Sequence, residues 1–300
     1  MQKYRSYVLP VAIVLGLFLH HFFAQMNAIV PYLIAIMLFF TYTNVDLKSM
    51  HISAFHLWLL LFQVAGSLLC YLLIRSFNEI IAQGVLVTIL TPTATAAVVV
   101  AVMLGANLAT MATYNLLCNL IIALVAPLYF SFIGIHQDHD FWHSFLLIVR
   151  KMAPMLFVPF LLAILLRFTL PKINSFIVRR CGDVTFYLWA IALIVVVGRT
   201  INYIFTQTDN MHILIIMAIS AVILCIIQFA LGRYVGRRYH DVVAGGQALG
   251  QKNTVLAIWI AQTYLLPLSS VLPAIYVVWQ NLYNSYQLYK KNRKEEKKQN

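Results

Sequence analysis

Long apolar runs recur along the chain and are separated by short polar segments. Each run holds about 17–25 residues, the length that an α-helix needs to cross the hydrocarbon core of a bilayer. A transmembrane β-barrel would instead show alternating segments of about ten residues, and the sequence lacks this pattern. The runs predict an all-α membrane protein with ten transmembrane helices, at residues 7–24, 28–45, 54–74, 80–104, 108–134, 142–168, 183–204, 211–236, 241–263 and 265–289.

Composition and charge support this class and indicate an orientation. Hydrophobic residues fill 62% of the 300 positions and charged residues only 10%, which is far from the usage of soluble domains. With both termini in the cytoplasm, most of the 21 basic residues lie on the cytoplasmic side, as the positive-inside rule requires. Arg75 and Arg199 fall on the opposite side. The net charge of +12 therefore reflects topology in a lipid bilayer and not nucleic-acid binding, and the short loops favour a bacterial inner membrane.

One basic pair, Arg150 and Lys151, disturbs the sixth predicted span. If that span begins at Phe141, both charges lie well inside it. If residues 141–150 instead lie along the membrane surface and the span starts near Met152, both charges reach the headgroups. We favour the second arrangement because long basic side chains lower their free energy by extending toward water.

Two of the spans contain helix-breaking residues at membrane depth. The fourth is interrupted around Pro92, which removes a backbone donor, and the ninth is interrupted by glycines and by residues 250–254. Each is the fourth span of a five-span half, and an odd number of spans gives the two halves opposite orientations. The sequence thus predicts two inverted five-helix repeats, residues 1–137 and 138–289, followed by a basic cytoplasmic tail at 290–300. We expect the two breaks to cross near the middle of the membrane, and paired interrupted spans indicate a transporter's binding site.

Lys252 lies in the second break without an acidic partner inside the membrane. All nine Asp and Glu residues fall in predicted loops or at the ends of apolar segments. A charge at membrane depth costs at least about 2.5 kcal/mol and usually serves a function. We therefore expect a functional ammonium. The alternative is a structural lysine that satisfies helix-end carbonyls, which carry about half a negative charge. Burial can also lower the pKa of a lysine, and loss of the Lys252 proton would permit proton coupling.

The residues at the two breaks form two short motifs. Residues 92–98 are Pro-Thr-Ala-Thr-Ala-Ala-Val, and residues 248–254 are Ala-Leu-Gly-Gln-Lys-Asn-Thr. They resemble the Pro-Gly-Gly-Thr-Ala-Ser-Asn and Glu-x-Gly-x-Gln-Asn-Ser/Thr elements of the bile acid:sodium symporter superfamily. Chain length, number of spans and the positions of both motifs also agree, so the resemblance covers nearly the whole chain.

This resemblance implies a fold and a class of substrate. The implied fold has a core domain (spans 3–5 and 8–10) and a panel domain (spans 1, 2, 6 and 7), with sodium sites where spans 4 and 9 cross. The implied substrates are organic anions such as bile acids and small carboxylates, held between core and panel. The chain departs from the superfamily's sodium ligands at Ala97, Val98, Ala248 and Lys252. Because hard cations need several oxygen ligands, we do not expect sodium coupling through these sites, and we hypothesise that the Lys252 ammonium replaces the sodium charge.

Polar side chains around the breaks are candidates for substrate binding or for contact between the breaks. Asn253 and Thr254 could bind substrate or cap the restarting helix, and threonines beside Pro92 could satisfy carbonyls that the proline leaves free. Asn115 and Asn119 share one helix face and could bind a ligand or join neighbouring helices. The candidate residues are Thr93, Thr95, Asn115, Asn119, Gln247, Gln251, Lys252, Asn253 and Thr254.

The sequence favours a secondary active, symporter-like transporter that moves a small organic anion by alternating access. The anion would be a carboxylate, a sulfonate or a bile-acid-like molecule. The alternative is a membrane sensor or ligand-binding protein that keeps the fold and does not transport. We do not expect an enzyme, because the spans carry no carboxylate and no nucleophile or metal motif, and no cofactor or metal is expected.

Overall fold

A computed structural model describes residues 10–11, 14–44, 50–134, 141–207 and 211–299. These residues form α-helices joined by short turns, and no β-strand occurs among them. The helices are α1 (His20–Gln25), α2 (Val30–Thr43), α3 (Ala54–Ile74), α4 (Glu79–Leu90), α5 (Thr95–Leu104), α6 (Leu108–Ile133), α7 (Phe141–Thr169), α8 (Pro171–Arg180), α9 (Gly182–Gln207), α10 (Met211–Arg238), α11 (Val242–Gly250), α12 (Thr254–Tyr264) and α13 (Val271–Gln299). Short 3₁₀ turns occupy Met26–Ile29 and Pro267–Ser270.

The long helices have the length and composition of membrane spans. In the part of the chain that the structure describes, five helices are apolar and long enough to cross a bilayer, namely α3, α6, α7, α9 and α10. Large apolar side chains such as Leu72, Phe132, Leu161 and Ile226 are exposed on their outer faces. Such faces are unfavourable in water and favourable against lipid. The chain is therefore an all-α membrane protein.

A close glycine contact between α10 and α11 positions the second predicted break. A Cβ atom added at Gly232 would collide with the carbonyl oxygen of Gly245, and one added at Gly245 would collide with the carbonyl oxygen of Gly232. The carboxylate of Asp241 caps α11 by accepting a hydrogen bond from the Ala244 amide, at 2.9 Å. Small residues allow two helix backbones to approach this closely in a membrane protein. The α10–α11 hairpin therefore holds the end of α11 in a fixed place.

The sixth predicted span differs from our expectation. Helix α7 runs from Phe141 through Arg150 and Lys151 without a break, and both basic side chains are exposed. Residues 141–150 therefore continue the helix that holds Met152 and do not form a separate segment, and the depth of Arg150 and Lys151 in the membrane stays a prediction. The 29 residues of α7 extend about 44 Å at 1.5 Å per residue, which exceeds the roughly 30 Å hydrocarbon layer. A continuous helix of this length can thus project beyond that layer.

Two helical segments appear where the sequence predicted a loop and a tail. Helix α8 starts with Pro171 at a first-turn position, where proline is favoured, and it buries none of its side chains. Helix α13 continues through the predicted basic tail as far as Gln299. Within that extension, Lys291 Nζ donates to the carbonyl oxygen of Met103 at 2.8 Å and so caps the end of α5. The beginning of the first predicted span and the repeat boundary at residues 137 and 138 lie outside the described residues.

Candidate functional site

Both predicted interruptions are present. Helix α4 ends at Leu90 and α5 begins at Thr95, while α11 ends at Gly250 and α12 begins at Thr254. After each first half the backbone leaves helical geometry, with ψ of 138° at Thr91 and 98° at Gln251. Each gap leaves backbone donors and acceptors without partners in their own helix. These groups must be satisfied elsewhere in the protein, because lipid offers no hydrogen bonds.

The two gaps satisfy each other through backbone hydrogen bonds. The Ala94 amide donates to the carbonyl oxygen of Gln251 at 3.0 Å, and the Asn253 amide donates to the carbonyl oxygen of Pro92 at 2.9 Å. The expectation that the two breaks meet is therefore confirmed. The contact joins the first half of the chain to the second half. The position of each break therefore depends on the backbone groups that the other break offers.

Thr93 and Lys252 face each other between these two hydrogen bonds as an antiparallel bridge pair. Lys252 is only 1% exposed, and its ammonium donates to the carbonyl oxygen of Ile89, in the last turn of α4, at 2.8 Å. Gln280 of α13 holds the Lys252 backbone: its Oε1 accepts from the Lys252 amide at 2.8 Å and its Nε2 donates to the Lys252 carbonyl at 3.2 Å. None of these partners within the described ranges is acidic. Lys252 thus bonds a helix-end carbonyl, where the partial negative charge favours a cation, and its contact with substrate stays a prediction.

Gln63 of α3 satisfies the remaining end of α4. Its Nε2 donates to the carbonyl oxygens of Leu90 and Thr91 at 2.7 and 2.8 Å. Its Oε1 accepts from the Tyr114 hydroxyl at 2.6 Å and from the Cys118 thiol at 3.2 Å. Our sequence reasoning missed Gln63 and Gln280. The signal that could have identified Gln63 is its position as the single amide side chain near the middle of the mostly apolar residues 54–74.

Thr93 and Asn115 join the first break to its neighbours, and Asn119 bonds within its own helix. The Thr93 hydroxyl donates to the carbonyl oxygen of Ala248 in α11 at 2.7 Å. Asn115 Nδ2 donates to the carbonyl oxygens of Thr93 and Ala94 at 3.1 and 3.3 Å, and Asn119 Nδ2 donates to the carbonyl oxygen of Asn115 at 2.7 Å. Asn115 therefore joins neighbouring segments, as its alternative interpretation stated. Thr93 bonds a carbonyl of the other interrupted span and not one freed by Pro92, and Asn119 bonds within its own helix.

Two candidates in the second break also have structural partners. Gln247 Nε2 donates to Asn284 Oδ1 of α13 at 2.8 Å. Asn253 Oδ1 accepts from the Leu256 amide at 3.3 Å and so caps α12. Thr95 is the first residue of α5, and its side chain lies outside what the structure describes.

Some polar atoms of the candidate residues are buried and have no hydrogen-bond partner within the described segments. Buried polar atoms in folded proteins are normally paired with protein or water, so these atoms are available to a ligand or to ordered water. They are Asn119 Oδ1, Gln247 Oε1, Gln251 Oε1 and Thr254 Oγ1. All four belong to helices or gaps that meet at the crossing.

The residues at the superfamily's sodium-ligand positions do not fit a sodium ion. Ala97 and Ala248 are fully buried and Val98 packs against the apolar core, so none of them offers a side-chain oxygen. The carbonyl oxygen of Ala248 already accepts from the Thr93 hydroxyl. A hard cation needs about six oxygen ligands. The last of the four sodium-ligand positions is Lys252, and its ammonium would repel such a cation.

Comparison of the sequence with protein-family models and with curated proteins finds no match. The resemblance to the bile acid:sodium symporter superfamily therefore depends on the two break motifs, the chain length and the number of predicted spans.

Proposed function

We propose that the protein is a secondary active transporter for a small organic anion, such as a carboxylate, a sulfonate or a bile-acid-like molecule. Ten spans in two inverted repeats would form a core and a panel in a bacterial inner membrane, with both termini in the cytoplasm. Substrate would cross as the core moves against the panel. The observation that carries this proposal is the backbone contact between the two interrupted helices.

The geometry of this contact supports inverted repeats. The two hydrogen bonds run in opposite directions, from Ala94 to Gln251 and from Asn253 to Pro92, and Thr93 pairs with Lys252 in antiparallel sense. Equivalent segments of two repeats that are inverted relative to each other would meet in this way. Interrupted helices at corresponding positions of two halves are typical of the binding sites of secondary transporters.

The packing of the remaining helices supports a core and a panel. Helix α2 packs against α7 and α9, and α9 also packs against α1, while α10 packs closely against α11, the first half of the second interrupted span. The first group corresponds to predicted spans 1, 2, 6 and 7. In the proposed mechanism these four helices would move together against the core, across the contacts of α7 with α6 and of α9 with α12.

In this proposal the Lys252 ammonium would supply a positive charge at the place where a coupling cation binds in transporters with interrupted helices. Half-helix carboxyl ends and unwound carbonyls coordinate such ions, and here the Lys252 ammonium bonds one of those carbonyls. With no acidic partner in the described part of the chain, this buried charge would attract an anionic substrate. The Thr254 hydroxyl and the amino-terminal end of α12 lie at the same break, and helix amino termini favour anions.

A binding and flux experiment separates the transporter from a sensor on the same fold. Purified protein is screened by thermal shift against carboxylates, sulfonates and bile salts, and the strongest ligand is radiolabelled for counterflow in proteoliposomes. Exchange of labelled ligand above the level of empty liposomes supports transport. Saturable binding without exchange would support the sensor instead, and Arg150→Gln, which changes an exposed arginine, serves as the matched control.

A further inference from the structure

A cavity of about 1000 Å³ lies where the ends of α3 and α6 meet the start of α4. Its described lining comes from the last turns of α3 and α6, from the first turns of α4, and from Leu266 in the segment after α12. None of these lining residues belongs to the helices of the proposed panel (α1, α2, α7 and α9) or to the gaps in the interrupted spans. The cavity is therefore distinct from the space between core and panel and from the crossing at Lys252.

Glu79 and Arg75 bring opposite charges to the lining of this cavity. Glu79 is the first residue of α4 and is half-buried, whereas Arg75 directly follows α3 and is exposed. Tyr71 connects the two, because its hydroxyl donates to Glu79 Oε1 at 2.8 Å and also interacts with the Arg75 side chain. The cavity thus offers a more buried carboxylate and a more exposed guanidinium, on either side of one hydroxyl.

The buried side chain of Gln83 fixes the orientation of the Glu79 carboxylate. Gln83 Nε2 donates to Glu79 Oε1 at 2.9 Å and to the carbonyl oxygen of Ile133 at 3.2 Å. Gln83 Oε1 accepts from the Leu266 amide at 2.7 Å. Gln83 and Tyr71 therefore bond the same carboxylate oxygen, and no hydrogen bond from a described residue reaches Glu79 Oε2. A fixed carboxylate with one unbonded oxygen favours a cation that can donate a hydrogen bond.

The wall of the cavity beside these charges is apolar and exposed. Leu72, Leu128 and Phe132 line the cavity and are exposed on the outer surface of α3 and α6. Both helices are long and apolar enough to cross a bilayer, so acyl chains would cover these side chains and headgroups would lie near the helix ends. Tyr71 and Tyr129 also line the cavity, and tyrosine is enriched at the level of the headgroups. The cavity therefore offers charges for a headgroup and an apolar surface for acyl chains.

We propose that this cavity binds a phospholipid whose headgroup carries a primary ammonium next to a phosphate, as in phosphatidylethanolamine. The ammonium donates to Glu79 Oε2, the phosphate bonds the Arg75 guanidinium, and the acyl chains lie along Leu72, Leu128 and Phe132. A trimethylated ammonium has no N–H to donate, and a headgroup without an amine has no cation. The site therefore selects among lipids by hydrogen bonding as well as by charge. This inference does not depend on the proposed transport function.

Native mass spectrometry of the purified protein tests this site with lipids that have identical acyl chains. We expect phosphatidylethanolamine to bind at least about tenfold more tightly than phosphatidylcholine or phosphatidylglycerol, because only its headgroup makes a charge-assisted hydrogen bond to Glu79. Glu79→Gln keeps an oxygen for Tyr71 and Gln83 but replaces Oε2 with a donor, and it should abolish this preference. Glu296→Gln, which changes an exposed glutamate of α13, should bind like the wild type. No preference in the wild type, or the full preference in Glu79→Gln, would overturn the proposal.

Further arms address folding, the phosphate contact and the source of the ligand. If size exclusion shows that Glu79→Gln is misfolded, stepwise N-methylation of the lipid headgroup decides with the wild type alone. Affinity should fall most at the third methyl group, which removes the last N–H, and an even decline would overturn the proposal. Arg75→Gln should weaken binding of phosphatidylethanolamine and phosphatidylglycerol alike, with Arg150→Gln as its matched control, and unchanged binding in Arg75→Gln would contradict the phosphate contact. Displacement of the lipid by an equal concentration of soluble phosphoethanolamine would reject a lipid ligand.

Discussion

The ammonium of Lys252 donates to the carbonyl oxygen of Ile89 at 2.8 Å, across 163 positions of the chain. A residue of the second break therefore completes the last turn of a helix in the first half. This one contact connects the fold with the proposed function, because it places a positive charge where the two interrupted spans meet.

The first prediction concerns the charge of Lys252. Lys252→Met removes a buried charge and with it the cost of desolvating that charge. It also leaves the Ile89 carbonyl oxygen without a donor, which costs about 1–3 kcal/mol of unfolding free energy. We therefore expect a folded protein with a modest loss of unfolding free energy, and a loss of anion affinity of at least about tenfold. Isothermal titration with the screened ligand measures the affinity. Full affinity in Lys252→Met would show that the charge is not used in binding, and Lys252→Arg tests whether charge alone suffices.

The second prediction concerns Gln63. In Gln63→Leu the buried carbonyl oxygens of Leu90 and Thr91 lose their amide donor. We expect a loss of roughly 3 kcal/mol in unfolding free energy, because each buried unpaired carbonyl costs about 1–3 kcal/mol. Chemical unfolding in detergent measures it. Gln25→Leu, at an exposed position of α1, should change stability little, and equal effects of the two substitutions would contradict the role assigned to Gln63.

The third prediction concerns the contact between α10 and α11. Gly232→Ala places a methyl group against the Gly245 carbonyl oxygen, so α11 must shift and the second break must shift with it. We expect a loss of at least about 2 kcal/mol, as for other overpacked sites, together with weaker anion binding. In Gly66→Ala the added methyl group meets nothing within 4 Å, and the better helix propensity should stabilise the protein by up to about 1 kcal/mol. An unchanged unfolding free energy in Gly232→Ala would show that α10 and α11 can separate enough to accept the methyl group.

Features that depend on local sequence could be predicted. Helix α3 has the predicted bounds of residues 54–74, because a mostly apolar run without charged residues or proline, between polar ends, determines both ends of a span. The gaps at residues 91–94 and 251–253 were also predictable. Proline prevents helical hydrogen bonding at the first gap, and glycine with adjacent polar residues weakens the helix at the second.

Features that depend on distant partners could not be predicted. The pairing of Gln63 with the end of α4 and of Gln280 with Lys252 joins separate spans, and a pattern within one span does not indicate which neighbour a side chain meets. The sequence indicated Arg199 only as a charge on the side opposite the termini. That its Nη1 is buried without a hydrogen-bond partner among the described residues becomes visible only when α9 is packed. Helix α8 was missed because it is short and rich in basic residues, and it buries no apolar face.

The fourth prediction concerns the contact between the breaks. Thr93 and Lys252 form a bridge pair flanked by the two backbone hydrogen bonds, and Cα atoms in such a pair lie about 4.5 Å apart, within the range of a disulfide. Cysteines at both positions, in a background with Cys118→Ser, should cross-link under mild oxidation and be detected by peptide mass spectrometry. The pair Thr93→Cys and Thr263→Cys should not cross-link. Equal yields for the two pairs would contradict the crossing.

The central claim is that a built-in ammonium replaces sodium in an organic-anion transporter. Uptake of the screened ligand into proteoliposomes, measured with sodium or with choline as the only external cation, tests it most directly. We predict equal initial rates in the two solutions for the wild type, and rates near those of empty liposomes for Lys252→Met in both. Strong and saturable stimulation by sodium with Lys252 intact would contradict the claim.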